Sequence, residues 1–141
     1  MYKFRSMTDE RDAEGNLLPD DVRLTEFGKK LRATSADELP ELINIFKGDM
    51  SVVGPRPQLV RDMVFFTEEE MKRQSVYPGL TGLAQICGRN NITWKEKFAF
   101  DLQYIKDINF FEDMRIIFRT VFKVSAQEDI ATDGMETAED Y

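Results

Sequence analysis

The chain has 141 residues, enough for one domain with a modest core. With 42% hydrophobic and 32% charged residues it has neither a disordered nor a membrane-embedded composition, and a net charge of −7 argues against a nucleic-acid partner, which calls for a basic face. The absence of histidine excludes imidazole catalysis and histidine metal sites, while the single cysteine, Cys87, forms no internal disulfide and fits a reducing compartment.

Tyr2, Lys3, Phe4 and Arg5 alternate aromatic and basic residues, which predicts a strand from Tyr2 to Met7 with Lys3 and Arg5 projecting together. On spacing alone this is a solvated strand face. Thr8 to Asp21 contains Gly15-Asn16 and Pro19-Asp20 and reads as a surface loop. A helix is predicted from Leu24 to Ala33, with Leu24, Phe27 and Leu31 on its apolar face. Lys29, Lys30 and Arg32 stand at its C-terminal end, where cations suit the helix dipole.

The chain is organised around Arg32 to Pro57, RATSADELPELINIFKGDMSVVGPRP. Pro40 belongs in the first turn of a helix, so the cap is expected between Asp37 and Leu39, with Leu42, Ile43, Ile45 and Phe46 buried. Asp37 and Glu38 then lie at the positive end of the helix, which keeps them ionised. An ionised carboxylate is what a nucleophile or a magnesium ligand requires. The alternative is a plain helix start, since Ser35 to Glu38 also fits a capping box, although that places Pro40 too far into the helix. Gly48 suits a C-cap. In Gly54-Pro55-Arg56-Pro57 two prolines flank the arginine, which makes either a rigid turn or a rigid mount for a phosphate-binding cation.

Leu59 to Gln74 predicts one or two helices interrupted near Thr67, whose T-x-x-E pattern with Glu70 is a helix start; Glu68 to Glu70 are a solvated first turn rather than metal ligands. After Pro78-Gly79, Leu80 to Cys87 is expected to be extended, with Cys87 as buried filler. Gly88 to Asn91 is a turn that exposes Arg89. Thr93 to Ile108 predicts an amphipathic helix with a stripe of Trp94, Phe98, Leu102 and Ile105, where Asp101 serves either a structural bond or the site. Phe110 to Val124 predicts a second helix with a wide apolar arc. Core packing is its default, but one edge beside Arg115, Arg119 and Lys123 could lie on a membrane surface. The acidic segment 125–141 is expected to be a loosely docked tail after a domain spanning 1–124.

DELPELINIFKGDMSVVGPRP resembles the signature of the bacterial sugar transferases, the monotopic phosphoglycosyl transferases. YKFRSM at Tyr2 to Met7, PGLTGLAQICGRN at Pro78 to Asn90 and WKEKFAFDLQYI at Trp94 to Ile105 are similar to further family motifs. The resemblance runs in order from Tyr2 to about Val124, and Thr8 to Asp21 looks closest to the small members that transfer a bacillosamine-type phosphosugar. It implies an α+β fold, mostly helical, with a few short strands, on the cytoplasmic membrane face. It also implies transfer of a phosphosugar from a UDP-sugar to a polyprenol phosphate, with Mg2+ as cofactor and UMP released. Asp37 is then the nucleophile, with Glu38 as its magnesium- or phosphate-orienting partner, roles that could be exchanged. Lys3, Arg32, Arg56 and Arg89 would contact substrate phosphate, with arginine suited to bidentate contact. The family's re-entrant membrane helix is not seen ahead of YKFRSM, so this chain alone is expected to be soluble or weakly peripheral. The competing reading is a non-catalytic module that binds a sugar nucleotide or a glycosylation partner.

Overall fold

A computed structural model describes residues 1–88 and 92–126. Seven α-helices occur in that range: α1 (Asp20–Arg23), α2 (Glu26–Ala33), α3 (Glu41–Lys47), α4 (Glu68–Met71), α5 (Leu83–Cys87), α6 (Trp94–Lys106) and α7 (Phe110–Ala126). Two short strands, β1 (Ser51–Val53) and β2 (Gly79–Thr81), pair in parallel with Ser51 opposite Gly79 and Val53 opposite Thr81. The mostly helical α+β class expected from the sequence is the one observed.

The core lies where α5, α6 and α7 close over this small sheet. Val53, Leu83, Ile86, Tyr104 and Ile116 form it, with Phe100, Ile105 and Ile117 packed against its edge. Polar groups tie α7 to the sheet. Thr120 donates its hydroxyl to the Ile116 carbonyl, so the Thr81 hydroxyl is the donor in their 2.6 Å contact. The expected stripe of α6 is shifted: Phe98, Asp101 and Tyr104 are buried, and Trp94, Leu102 and Ile105 only half-buried. A capping box from Thr93 and Glu96 starts this helix, and the expected box from Thr67 and Glu70 starts α4.

Asp101 is turned inward because it has a buried counter-ion. Arg73, in a 3-10 turn at Lys72–Ser75, meets it at 2.6 Å, and both residues are buried. The pair is under-satisfied, since Nε and Nη1 of Arg73 have no hydrogen-bond partner among the described residues. Desolvation outweighs attraction in such a pair. Burial pushes the Asp101 carboxyl from an ordinary 3.8 up to about 6, against the pull of Arg73. The folded state therefore holds this proton more tightly than the unfolded chain. Its contribution to stability is complete below pH 3.8 and is lost as pH rises through about 6. Urea unfolding should show the stability difference between wild type and Asp101→Asn falling by about 2–3 kcal/mol from pH 3.5 to 7. A difference that stays flat, or rises, contradicts this.

Several local expectations are corrected. Residues 2–6 form no strand; they run as an irregular arm, and only Met7 pairs, in an antiparallel bridge with Leu24. The arm's donors go to other elements: Tyr2 N–H to Asn44 Oδ1, Phe4 N–H to the Asp37 carbonyl and Thr8 N–H to the Arg23 carbonyl. The arm crosses α2 at Gly28, where a Cβ would meet the Ser6 carbonyl oxygen at 1.9 Å. Lys3 and Arg5 do not project together, because Arg5 pairs with Asp9 in the following loop. Segment 80–87 is not extended throughout: β2 ends at Thr81 and α5 follows, leaving Cys87 exposed rather than buried.

Two helix faces also differ from expectation; of the face read for α2, Leu24 and Leu31 are half-buried and Phe27 turns outward. In α2, Phe27 is exposed and Gly28 is the buried residue. In α3, Glu41 and Asn44 are buried, whereas Leu42 and Ile43 are exposed and Phe46 is 91% exposed. The cause is the arm, which brings a lysine and a backbone N–H to α3, and those need the polar face. α7 fully buries only Ile116, with Ile117 packed beside it, whereas Phe110, Phe111, Phe118, Val121 and Phe122 are exposed, so part of its wide arc packs on the core and the rest does not. The helix extends to Ala126, past the expected boundary at Val124, and the rest of the expected tail lies outside the described residues. Among the described residues no helix is long and apolar enough to cross a membrane.

Candidate active site

Asp37 and Glu38 sit in a 3-10 turn, Ala36–Glu38, between α2 and α3. Ser35 reverses the chain with φ 55, a left-handed conformation that costs a non-glycine residue about 1–2 kcal/mol. Its side chain makes no capping bond, so the capping-box alternative fails. The cap of α3 is Pro40, one residue beyond the expected position, and it starts the helix without needing an N–H. Gly48 closes α3 in the left-handed conformation, as expected. The Gly54–Pro57 turn leaves the end of β1 and returns beside β2: Gly54 N–H donates to the Thr81 carbonyl, and Gly79 N–H to the Pro55 carbonyl.

These pieces converge on one oxygen. Glu38 Oε1 accepts from Lys3 Nζ at 2.9 Å and from Arg56 Nη2 at 2.6 Å. Lys3 also lies 3.4 Å from Glu41 Oε1, an ion-pair contact outside hydrogen-bond geometry. Burial alone would raise the Glu38 carboxyl, but Arg56 and then Lys3 more than offset it and hold it below its ordinary value. Glu41 goes the other way: burial raises it, Lys3 opposes only in part, and the charge on Glu38 adds to the rise. Burial disfavours the Arg56 cation, but Glu38, Glu41 and Asp37 hold it ionised above its ordinary range. Among the described residues, no hydrogen bond or ion pair engages the Asp37 carboxylate.

Of the residues singled out in the sequence, Lys3, Glu38 and Arg56 are in direct contact, and Asp37 is the neighbour of Glu38 whose charge reaches Arg56. Arg32 is not joined to them; its Nε donates to the buried Ser6 hydroxyl at 2.9 Å, which fastens the arm to α2. Arg89 lies outside the described residues. Two participants escaped the sequence reading. Glu41 could have been found as the third carboxylate within five residues, on the same face as Asn44 and opposite the apolar positions of α3. Arg73 carried no local signal, because its partner Asp101 is 28 residues away.

Among the described residues no three carboxylate, cysteine or histidine side chains converge on a point, so the protein alone presents no cage for a metal. Magnesium needs less, one or two carboxylates supplemented by substrate phosphates and water. Among the described residues the Asp37 carboxylate and the second oxygen of Glu38 accept no hydrogen bond, so these are the oxygens that would be available to such an ion.

The model of the bacterial sugar transferase family matches residues 1–127. The chain is 51% identical over its whole length to an uncharacterised sugar transferase, EpsL, of Bacillus subtilis strain 168, and spans 70% of that protein. It is 42% identical over 136 residues to the UDP-glucose:undecaprenyl-phosphate glucose-1-phosphate transferase of Klebsiella pneumoniae. To the undecaprenyl-phosphate galactose phosphotransferase of Salmonella typhimurium strain LT2 it is 40% identical over 103 residues. These cover 87% and 73% of the chain but only 29% and 22% of the two longer proteins. With a match that spans nearly the whole chain and includes the arm, the carboxylate turn and the Gly-Pro-Arg-Pro turn, the protein belongs to the bacterial sugar transferase family.

Proposed function

We propose that the protein transfers a phosphosugar from a UDP-sugar to a polyprenol phosphate through a covalent intermediate on Asp37. The observation that carries this reading is the pairing of an engaged and an unengaged carboxylate. Glu38 is committed to Lys3 and Arg56, while no hydrogen bond or ion pair among the described residues engages the carboxylate of Asp37 next to it, whose charge nonetheless acts on Arg56. A nucleophile must be ionised and uncommitted, and attack on a diphosphate by an anion needs cations already in place.

In the first step an Asp37 carboxylate oxygen attacks the phosphorus next to the sugar. An aspartyl O–P bond forms, the bond from that phosphorus to the bridging oxygen breaks, and UMP leaves with the bridging oxygen. In the second step a phosphate oxygen of the lipid attacks the same phosphorus, the aspartyl bond breaks, and the carboxylate is restored. Lys3 and Arg56, held in position by Glu38, face the diphosphate and offset the charge that builds on it. Magnesium, held by Asp37 and Glu38 together with the diphosphate, would supply Lewis-acid stabilisation of the phosphoryl oxygens. The exposed apolar faces of α3 and α7 suit the lipid acceptor and the membrane surface on which it resides.

Intact-mass analysis after incubation with magnesium and a panel of UDP-sugars tests the first step. The expected result is a mass gain equal to one phosphosugar, accompanied by UMP and erased by added polyprenol phosphate. Binding of a UDP-sugar with neither adduct nor UMP, in the presence of the lipid, would replace the enzyme with a non-catalytic binding module.

A further inference from the structure

We propose that Arg73 is a positioning residue for Arg56. This rests on the reading that Arg56 meets the diphosphate. The Gly-Pro-Arg-Pro turn is poor in donors of its own, because Pro55 and Pro57 have no N–H. Beyond the bond from Gly54 N–H to the Thr81 carbonyl, it is held by its own carbonyls. The Pro55 carbonyl is taken by Gly79 N–H at 2.9 Å, and the Arg56 carbonyl by Nη2 of Arg73 at 2.8 Å. The same nitrogen donates to Asp101 Oδ2 at 2.6 Å, so both of its N–H groups are used.

The brace is itself immobilised. Arg73 is 3% exposed, and its guanidinium lies 4.9 Å from the ring of Phe98 and 5.9 Å from that of Phe66, with Phe66 and Phe98 packed edge to face. Asp101 and Phe98 are neighbours on the buried side of α6. A line of fixed groups thus runs from α6 to the backbone of Arg56, and from the side chain of Arg56 to Glu38. The planar fork matters, because one nitrogen must reach an anion and a carbonyl in two set directions; a lysine ammonium can keep the charge without keeping both directions.

The test is a double-mutant cycle on UMP release. Arg73→Lys should melt cooperatively and lose at least tenfold in kcat. In an Arg56→Lys background the same change should cost less than twofold, because the residue it acts through is already impaired. Losses that multiply, or a folded Arg73→Lys with full kcat, overturn the proposal. If Arg73→Lys fails to melt cooperatively, Asp101→Asn, which preserves shape, takes its place in the cycle with the same criteria. If Arg56→Lys itself leaves UMP release unchanged, the assignment of Arg56 to the diphosphate fails. The brace is then judged without substrate, by the Arg56 Nε–H resonance in a 15N spectrum. It must move in Arg73→Lys, and an unmoved resonance refutes the brace.

Discussion

Asp37→Asn should reduce UMP release by at least about a thousandfold, the scale of losing a covalent nucleophile, and leave melting unchanged. The substitution keeps the side-chain shape and removes only its charge. Stability should hold because the carboxylate makes no hydrogen bond or ion pair among the described residues, while the backbone bond from Phe4 N–H to the Asp37 carbonyl survives. Intact-mass analysis should find no adduct on the variant with any UDP-sugar. Near-normal UMP release would remove Asp37 from the nucleophile's place and leave Glu38 as the candidate, despite its two cations.

Arg56→Lys should cost about a hundredfold in kcat although the charge is preserved, a loss of the size found when a preorganised transition-state donor is removed. In the wild type one edge of the fork, Nη2, binds Glu38, and the rest of the planar group remains to face an anion. Lysine has one nitrogen on a flexible stem and must choose between the two. The two flanking prolines and the carbonyl anchored by Arg73 fix the backbone, so the backbone cannot shift to compensate. Steady-state kinetics with a UDP-sugar decides the matter: a kcat within threefold of wild type means that orientation is not what position 56 supplies.

The sequence was most readable where chemistry is local. Pro40, Gly48, Thr67 with Glu70, and the Gly-Pro-Arg-Pro turn each dictate their own backbone, and each element appears where expected to within a residue or two. Lys3, Glu38 and Arg56 could be named because the motifs that carry them resemble those of the family, although their convergence on one oxygen depends on how the arm, the turn and β1 are placed. What could not be read was which side of a helix faces inward. Periodicity locates the apolar face of α3 correctly but assumes that the protein's own core receives it, and here Glu41 and Asn44 take the inner position because the arm offers them partners. The alternation of Tyr2 to Arg5 misled for a related reason: with its N–H groups spent on Asn44 and Asp37, the arm has no neighbouring strand to pair with. Arg73 and Asp101 show the same limit, since a buried ion pair formed across 28 residues leaves no trace in either local pattern.

The arm also ties the chemistry to a particular kind of motion. Lys3 is carried by a segment with no helix or strand, docked through backbone bonds at Tyr2, Phe4 and Thr8, the Arg32–Ser6 bond and the close packing of Ser6 on Gly28. Segments without secondary structure open more often than a packed core does. Each opening strips one cation from Glu38 and lets water reach Glu41, so the assembled site exists only for the fraction of time the arm is docked. Any chemistry that needs both cations on Glu38 therefore depends on the docking of the arm as well as on the packing of the core.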